Sequence, residues 1–233
     1  MENQLKFFGR RKGKKLRENR QRLIADFLEK VKINPEKPFA FSEIFASTFA
    51  KHVLEIGFGG GEHVAALAKR DKNTGFIGAE VFINGIASLL AHLTGYTERA
   101  ELASDRIDNV RVYPDDVRKI LPFFPSSSLD AVYLLFPDPW PKSRHKERRF
   151  INNGNLDELA RILKPGGTFC AASDDMTYIR WALSVMNKRD DFEIKWTKAS
   201  EYFTEPEWWI QTRYELKALK QGKKPVYMVF IRK

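Results

Sequence analysis

The sequence predicts an α/β protein with a doubly wound, mostly parallel seven-stranded sheet. It is read as a single domain that carries a basic N-terminal arm. Three observations predict this. From residue 52 onward, short apolar runs of strand length alternate with segments of helical periodicity. One run, Asp130–Phe136, is almost continuously apolar, as a strand buried on both faces must be. A glycine cluster at 57–61 stands at the first strand-to-helix junction, where open α/β sheets bind their ligands.

The elements follow in order. Residues 1–20 form the arm, expected to be flexible because it is too charged to pack, and the domain runs from 21 to 233. A helix is expected from about Glu18 to Lys30, broken by the segment Asn34–Pro38. A short amphipathic helix over Phe39–Phe49, capped by Ser42, comes next. Strands are expected at His52–Phe58, Gly75–Val81, Val110–Pro114, Asp130–Phe136, Gly167–Ala172, Phe192–Thr197 and Pro225–Ile231. Helices lie between them at Glu62–Arg70, Ile83–Glu98, Asp116–Leu121, Asn155–Leu163 and Met176–Lys188.

Composition narrows the function classes. The chain has 233 residues, 43% of them hydrophobic, enough to bury a core. No apolar run reaches the roughly 18–20 residues that span a bilayer, and no apolar stretch follows the basic N-terminus as in a signal peptide. The single cysteine, Cys170, forms no internal disulfide, which points to a reducing cytoplasm. The four histidines show no metal-ligand spacing, so no metal is expected. The net charge of +10 is concentrated. Between residues 6 and 22, nine bases (Lys6, Arg10, Arg11, Lys12, Lys14, Lys15, Arg17, Arg20, Arg22) face Glu18 alone, a net +8 by count. Such an arm fits a polyanion, which it binds through phosphate contacts and counterion release.

The stretch LEIGFGGGEH, Leu54–His63, narrows the ligand. As a dinucleotide fingerprint it fails, because Glu62 stands where the third glycine belongs and puts negative charge where a pyrophosphate sits. Glu55, two residues before Gly57, points instead to a cationic ligand group. S-adenosylmethionine has an amino group and a sulfonium, and no phosphate. Glu80 ends the next strand and suits the two hydroxyls of a ribose. Asp115 and Asp116 follow the third strand. One of them is expected to hold an adenine amino group and the other to cap the helix that begins at Val117.

The stretch LLFPDPWPKSRHKERR, Leu134–Arg149, carries the rest. Phe136, Asp138 and Trp140 each precede a proline, which biases each toward extended backbone. In such a ledge Asp138 and Trp140 share a face, suited to the edge and face of a base. Lys142, Arg144, Arg148 and Arg149 follow as phosphate contacts.

Taken with QTRYE near the C-terminus, these motifs resemble the bacterial tRNA (guanine-N7)-methyltransferase family over roughly residues 50–233. The Pro-Asp-Pro-Trp motif and the bases after it are its most specific part. The resemblance implies a Rossmann-like class I methyltransferase fold, S-adenosyl-L-methionine as cofactor, and a guanine in the tRNA variable loop as target. It implies cofactor contacts at Glu55, Gly57, Gly59, Gly61, Glu80, Asp115 or Asp116, and Asp138, with Asp138 also catalytic. It implies substrate contacts at Lys142, Arg144, Asp174, Thr212, Arg213, Tyr214 and Glu215. Family members often carry His where Pro141 stands here. The partner implied is tRNA, with no membrane and no obligatory second subunit, as a monomer or homodimer. Two rivals are weighed. An adenine amino methyltransferase carries Asp-Pro-Pro-Trp, whereas here Pro139 separates Asp138 from Trp140. A non-catalytic RNA-binding protein on the same fold has no need of Glu55, Glu80 and the glycines.

Overall fold

The computed structural model describes residues 6–95 and 108–233. The fold is α/β, with a mostly parallel seven-stranded sheet, as the alternation predicts. The chain groups into two compact units, residues 1–125 and 126–233.

In the first unit, α1 (Glu18–Leu23) passes through a π-helical turn at Ile24–Leu28 into α2 (Glu29–Val31). The predicted helix is thus present, anchored by buried Leu23 and Leu28. The next helix, α3, is only Phe41–Ile44. Ala40, not Ser42, stands at its N-cap, and the predicted run to Phe49 does not form. Ring packing overrides the periodicity: Phe41 lies flat on His52 at 3.7 Å, and Phe45 meets Phe49 edge to face at 5.1 Å. Then come β1 (Lys51–Ile56), α4 (Glu62–Arg70), β2 (Thr74–Ala79), α5 (Ile83–Thr94) and β3 (Val110–Tyr113). The three strands are parallel in the order β3-β2-β1, with Glu55 opposite Gly78. The predicted continuation of α5 to Glu98 runs outside the described residues. Two short 3-10 turns, Val117–Lys119 and Leu121–Phe123, replace the helix predicted at Asp116–Leu121. Pro122 has no N–H to continue an α-helical ladder.

The second unit holds β4 (Leu129–Leu135), α6 (Asn153–Ile162), β5 (Leu163–Ser173), α7 (Met176–Met186), β6 (Phe192–Ile194), α8 (Arg213–Lys220) and β7 (Val226–Arg232). Its strands run in the order β4-β5-β7-β6. β4 and β5 are parallel, while β7 is antiparallel to both neighbours. Phe169, Cys170, Ala171 and Ala172 are fully buried, so Cys170 is a core residue. Helix α8 escapes prediction, although the spacing Thr212-x-x-Glu215 is a helix-start signature. Among the described residues, no helix is long and apolar enough to cross a membrane.

Candidate functional site

In the first unit, the parallel ladder ends at the glycine loop. The Gly57 N–H donates to the Ala79 carbonyl at 2.8 Å. Gly57, Gly59 and Gly61 then adopt φ of 68°, 56° and 76°, a region open to glycine without strain. A Cβ on Gly57 meets nothing within 4 Å, so this edge of backbone is open to a ligand. A Cβ on Gly61 lies only 2.6 Å from Leu89 Cβ, so side chains are excluded there by α5.

Two predicted acids tie the loop in place. Glu80 is nearly buried, and its Oε2 accepts the Gly59 N–H at 2.8 Å. Its Oε1 accepts the Val81 and Phe82 N–H groups at 2.7 and 2.9 Å. Glu55 is 3% exposed, and its Oε2 lies 2.7 Å from His63 Nδ1. Gly85 completes this arrangement and is invisible to sequence reasoning. A Cβ there lies 2.0 Å from the Gly59 carbonyl oxygen, so α5 approaches the loop backbone at contact distance.

The two aspartates after β3 take different positions. Asp116 is buried and caps the turn: its Oδ1 accepts the Arg118 N–H at 3.1 Å, and the Arg118 Nε contacts both its oxygens at 3.0 Å. Asp115 stays partly exposed. Its Oδ2 takes Lys119 Nζ at 2.6 Å, and its Oδ1 takes the Arg11 guanidinium at 3.1 Å. Burial pushes the Asp115 carboxyl upward, but Lys119, the Asp116 N–H and Arg11 outweigh it and hold the group below the ordinary carboxylate value.

The basic arm follows a defined path over this unit. The Arg11 carbonyl accepts the Ile83 N–H at 3.1 Å. Asn84 Oδ1 accepts the Gly13 N–H at 2.9 Å, and its Nδ2 donates to the Lys14 carbonyl at 2.8 Å. These bonds use the arm's backbone and leave Arg10, Lys12, Lys14 and Lys15 exposed.

In the second unit, β4 gives way to the proline ledge. The Phe136 N–H still donates to the Ala172 carbonyl at 2.8 Å. Phe136 and Trp140 then take φ of 49° and 43°. The extended backbone predicted at these two pre-proline positions is therefore not adopted. A residue held in this region stores roughly 1–3 kcal/mol of strain, so surrounding contacts must enforce it. At Trp140, Arg149 supplies them. It is 5% exposed, donates to the Pro139 and Trp140 carbonyls at 3.1 and 2.9 Å, and stacks on Trp181 at 5.0 Å. Arg149 is thus the clamp of the ledge and not one of the predicted phosphate contacts. Asp138 is left exposed, and so are Lys142 and Arg144 just beyond. Trp140 turns to its own loop, edge-on to His145 at 5.8 Å and under the Arg148 guanidinium at 4.8 Å. Desolvation, then the charges of Arg148, Arg144 and Lys142, holds the His145 imidazole below its ordinary value.

Asp174 stands just past the end of β5. Its Oδ2 accepts Lys223 Nζ at 2.7 Å, while the next residue, Asp175, caps α7 by accepting the Tyr178 N–H. The Thr212–Glu215 run forms the capped start of α8. Thr212 Oγ1 accepts the Glu215 N–H at 3.1 Å. The wholly buried Glu215 carboxylate accepts from Trp209 Nε1 at 2.8 Å, the Thr212 N–H at 3.2 Å and the Tyr227 hydroxyl. Burial, then the Glu215 hydrogen bond, pushes the Tyr227 phenol strongly up. Arg213 and Tyr214 are the members of this motif open to solvent. Sequence reasoning missed Gly85, His63, Lys223 and the clamp role of Arg149, because each acts through a contact beyond the reach of local periodicity, from eight residues away for His63 to 49 for Lys223.

Known proteins resemble this chain over most of its length. A family model described as "Putative methyltransferase" matches residues 50–228. The chain is 42% identical over 228 residues to the tRNA (guanine-N(7)-)-methyltransferase of Rhizobium meliloti, covering 97% of this chain and 94% of that one. It is 43% identical over 231 residues to the protein of the same name from Paramagnetospirillum magneticum, covering 98% and 93%. Among solved structures, the 16S rRNA methyltransferase KamB superposes with a TM-score of 0.56 at 14% identity, over 85% of this chain and 96% of that one. An antibiotic-related methyltransferase superposes with a TM-score of 0.53 at 17% identity, over 83% and 92%.

Proposed function

Because the chain belongs to the tRNA (guanine-N7)-methyltransferase family, we propose that it transfers the methyl group of S-adenosylmethionine to N7 of a guanine in the tRNA variable loop. The observation that carries this reading is the pair of buried acids at a glycine loop whose Gly57 edge is open: Glu80 bonded to the Gly59 N–H, and Glu55 bonded to His63 just after the loop. Acids at such a loop repel a pyrophosphate and suit an amino group and ribose hydroxyls, so the residues present fit this cofactor. Glu55 holds the amino group and Glu80 the ribose. Asp115 holds the adenine, because it stays partly exposed while Asp116 is buried in its bonds to Arg118.

S-adenosylmethionine supplies an electrophilic methyl on a sulfonium. Guanine N7 carries a lone pair and no proton at neutral pH, so no side chain has to act as general base. The protein's contribution is placement of the base, together with carboxylates near a purine that becomes cationic. Asp138 is the acid offered for this, held on a strained ledge. Asp138 also accepts from the guanine N1–H and amino edge, with Asp174 as a second acceptor. Arg213, Tyr214, Lys142 and Arg144 contact the nucleotide and its phosphates, while Thr212 and Glu215 hold the motif in shape. Incubation with unmodified bulk tRNA and labelled cofactor, followed by nucleoside mapping, should yield N7-methylguanosine; N6-methyladenosine as the product would replace this reading with the amino-group one.

The arm, in the same reading, is a tRNA contact presented by its own backbone bonds. Removing residues 1–17 is expected to weaken tRNA binding at least ~10-fold at low salt and to flatten its salt dependence, because each lost phosphate contact removes close to one unit of the log–log slope. Affinity curves that coincide across several salt concentrations would show that the arm contributes nothing to tRNA binding.

A further inference from the structure

We infer that His63 is a positioning residue for the cofactor site: it holds the Glu55 carboxylate in place across the glycine loop. The inference rests on Glu55 being the acid that meets the cofactor's amino group. Glu55 is the last residue but one of β1, and His63 is the second residue of α4. The loop Gly57–Gly61 lies between them in the chain, and their side chains meet at 2.7 Å. Both side chains are nearly sealed from solvent, at 4% and 2% exposure.

This bond does something neither neighbour can do. Gly61 caps α4 without a side chain, and the loop's glycines carry none to stiffen it. A carboxylate at the end of a strand keeps freedom about its own side-chain torsions. The imidazole removes that freedom, because a carboxylate accepts only and the Nδ1–H donates to one of its oxygens. One oxygen, Oε2, is then committed to the protein, and the carboxylate plane is set for a ligand at the other. At metal sites, losing the buried partner that orients a ligating side chain costs roughly one to two orders of magnitude in affinity, and the same scale is expected for this carboxylate. Glu80 is held in the same manner by the Gly59 N–H, so both acids of the cradle are oriented from within the loop and its flanks.

The test is calorimetric titration of the full-length chain with S-adenosylmethionine, without tRNA. His63→Gln keeps size and polarity but places its amide nitrogen near the Nε2 position, away from Glu55. His63→Asn places its amide nitrogen near Nδ1. The expected result is a Kd raised ~10–100-fold in His63→Gln and within ~3-fold of the parent in His63→Asn. The KM for tRNA at saturating cofactor should be unchanged in both. In a Glu55→Gln background, His63→Gln should add less than ~2-fold, since coupled residues are not additive. If Glu55→Gln itself leaves cofactor affinity intact, the assignment of Glu55 fails and this inference with it. If Glu55→Gln weakens binding but His63→Gln does not, or if the two losses add in full, only the positioning role fails. Equal affinity of the Asn and Gln variants overturns it as well, and because both are polar and of similar size, melting temperatures separate a folding defect from a binding one.

Discussion

Asp138→Ala is expected to lower the rate of methyl transfer to tRNA by ~100- to 1,000-fold, the scale on which removal of one preorganised electrostatic group acts, roughly 3–4 kcal/mol. Melting temperature should hardly move. Asp138 is exposed on a ledge whose shape is enforced by Arg149 and by Phe136 and Trp140 at positive φ, not by the aspartate itself. Cofactor affinity should stay measurable, because Glu55 and Glu80 remain. Asp138→Asn separates the two roles offered to this group: it keeps an acceptor for the guanine edge and loses the charge that offsets a cationic purine. A rate for Asn close to that of Ala assigns the effect to charge, and a rate close to the parent assigns it to hydrogen bonding. Near-parental turnover in Asp138→Ala, measured with labelled cofactor under single-turnover conditions, would sink the catalytic role altogether.

Gly85→Ala is expected to be destabilising and to cost cofactor binding, against what helix propensity alone says. Alanine is favoured over glycine by about 1 kcal/mol in a helix interior, an upper bound for Gly85 in the first turn of α5. Here the added methyl would lie 2.0 Å from the Gly59 carbonyl oxygen, and backbone cannot swing aside as a side-chain tip does. Forcing extra carbon into such a contact typically costs ~1–3 kcal/mol, so sterics outweigh propensity. Because the displaced atom belongs to the glycine loop, the damage reaches the site. The Gly59 N–H bond to Glu80 is the first casualty, and cofactor affinity should fall at least ~10-fold, the loss that ~1.4 kcal/mol represents. A melting temperature that rises, with unchanged cofactor affinity, would show that the helix and loop separate easily.

Much of the molecule was legible before any coordinate. Glu62–Arg70 is a helix with the predicted bounds, since its polar and apolar residues are spaced for one buried face and glycines precede it. Asp130–Phe136 reads as a doubly buried strand and is one, shifted by a residue. The expectations that failed share a cause. The helix over Phe39–Phe49 stopped after one turn because its phenylalanines pack on His52, Phe124 and each other, contacts that periodicity does not encode. The extended backbone expected at Trp140 yielded to Arg149, which reaches the Pro139 and Trp140 carbonyls from ten and nine residues away.

By itself, the order of residues determined the α/β alternation, the glycine loop with its acids Glu55 and Glu80, and the Pro-Asp-Pro-Trp ledge followed by bases. These are local patterns, written in side-chain period, φ preference and charge within a few positions of one another. Tertiary structure alone decided that the Tyr227 hydroxyl reaches the buried Glu215 carboxylate and that Gly85 touches the glycine loop. It alone brought His63 to Glu55 and Lys223 to Asp174. The physical reason is the same throughout: a hydrogen bond or a steric contact is set by distance in space, and only folding brings together residues that the chain keeps apart.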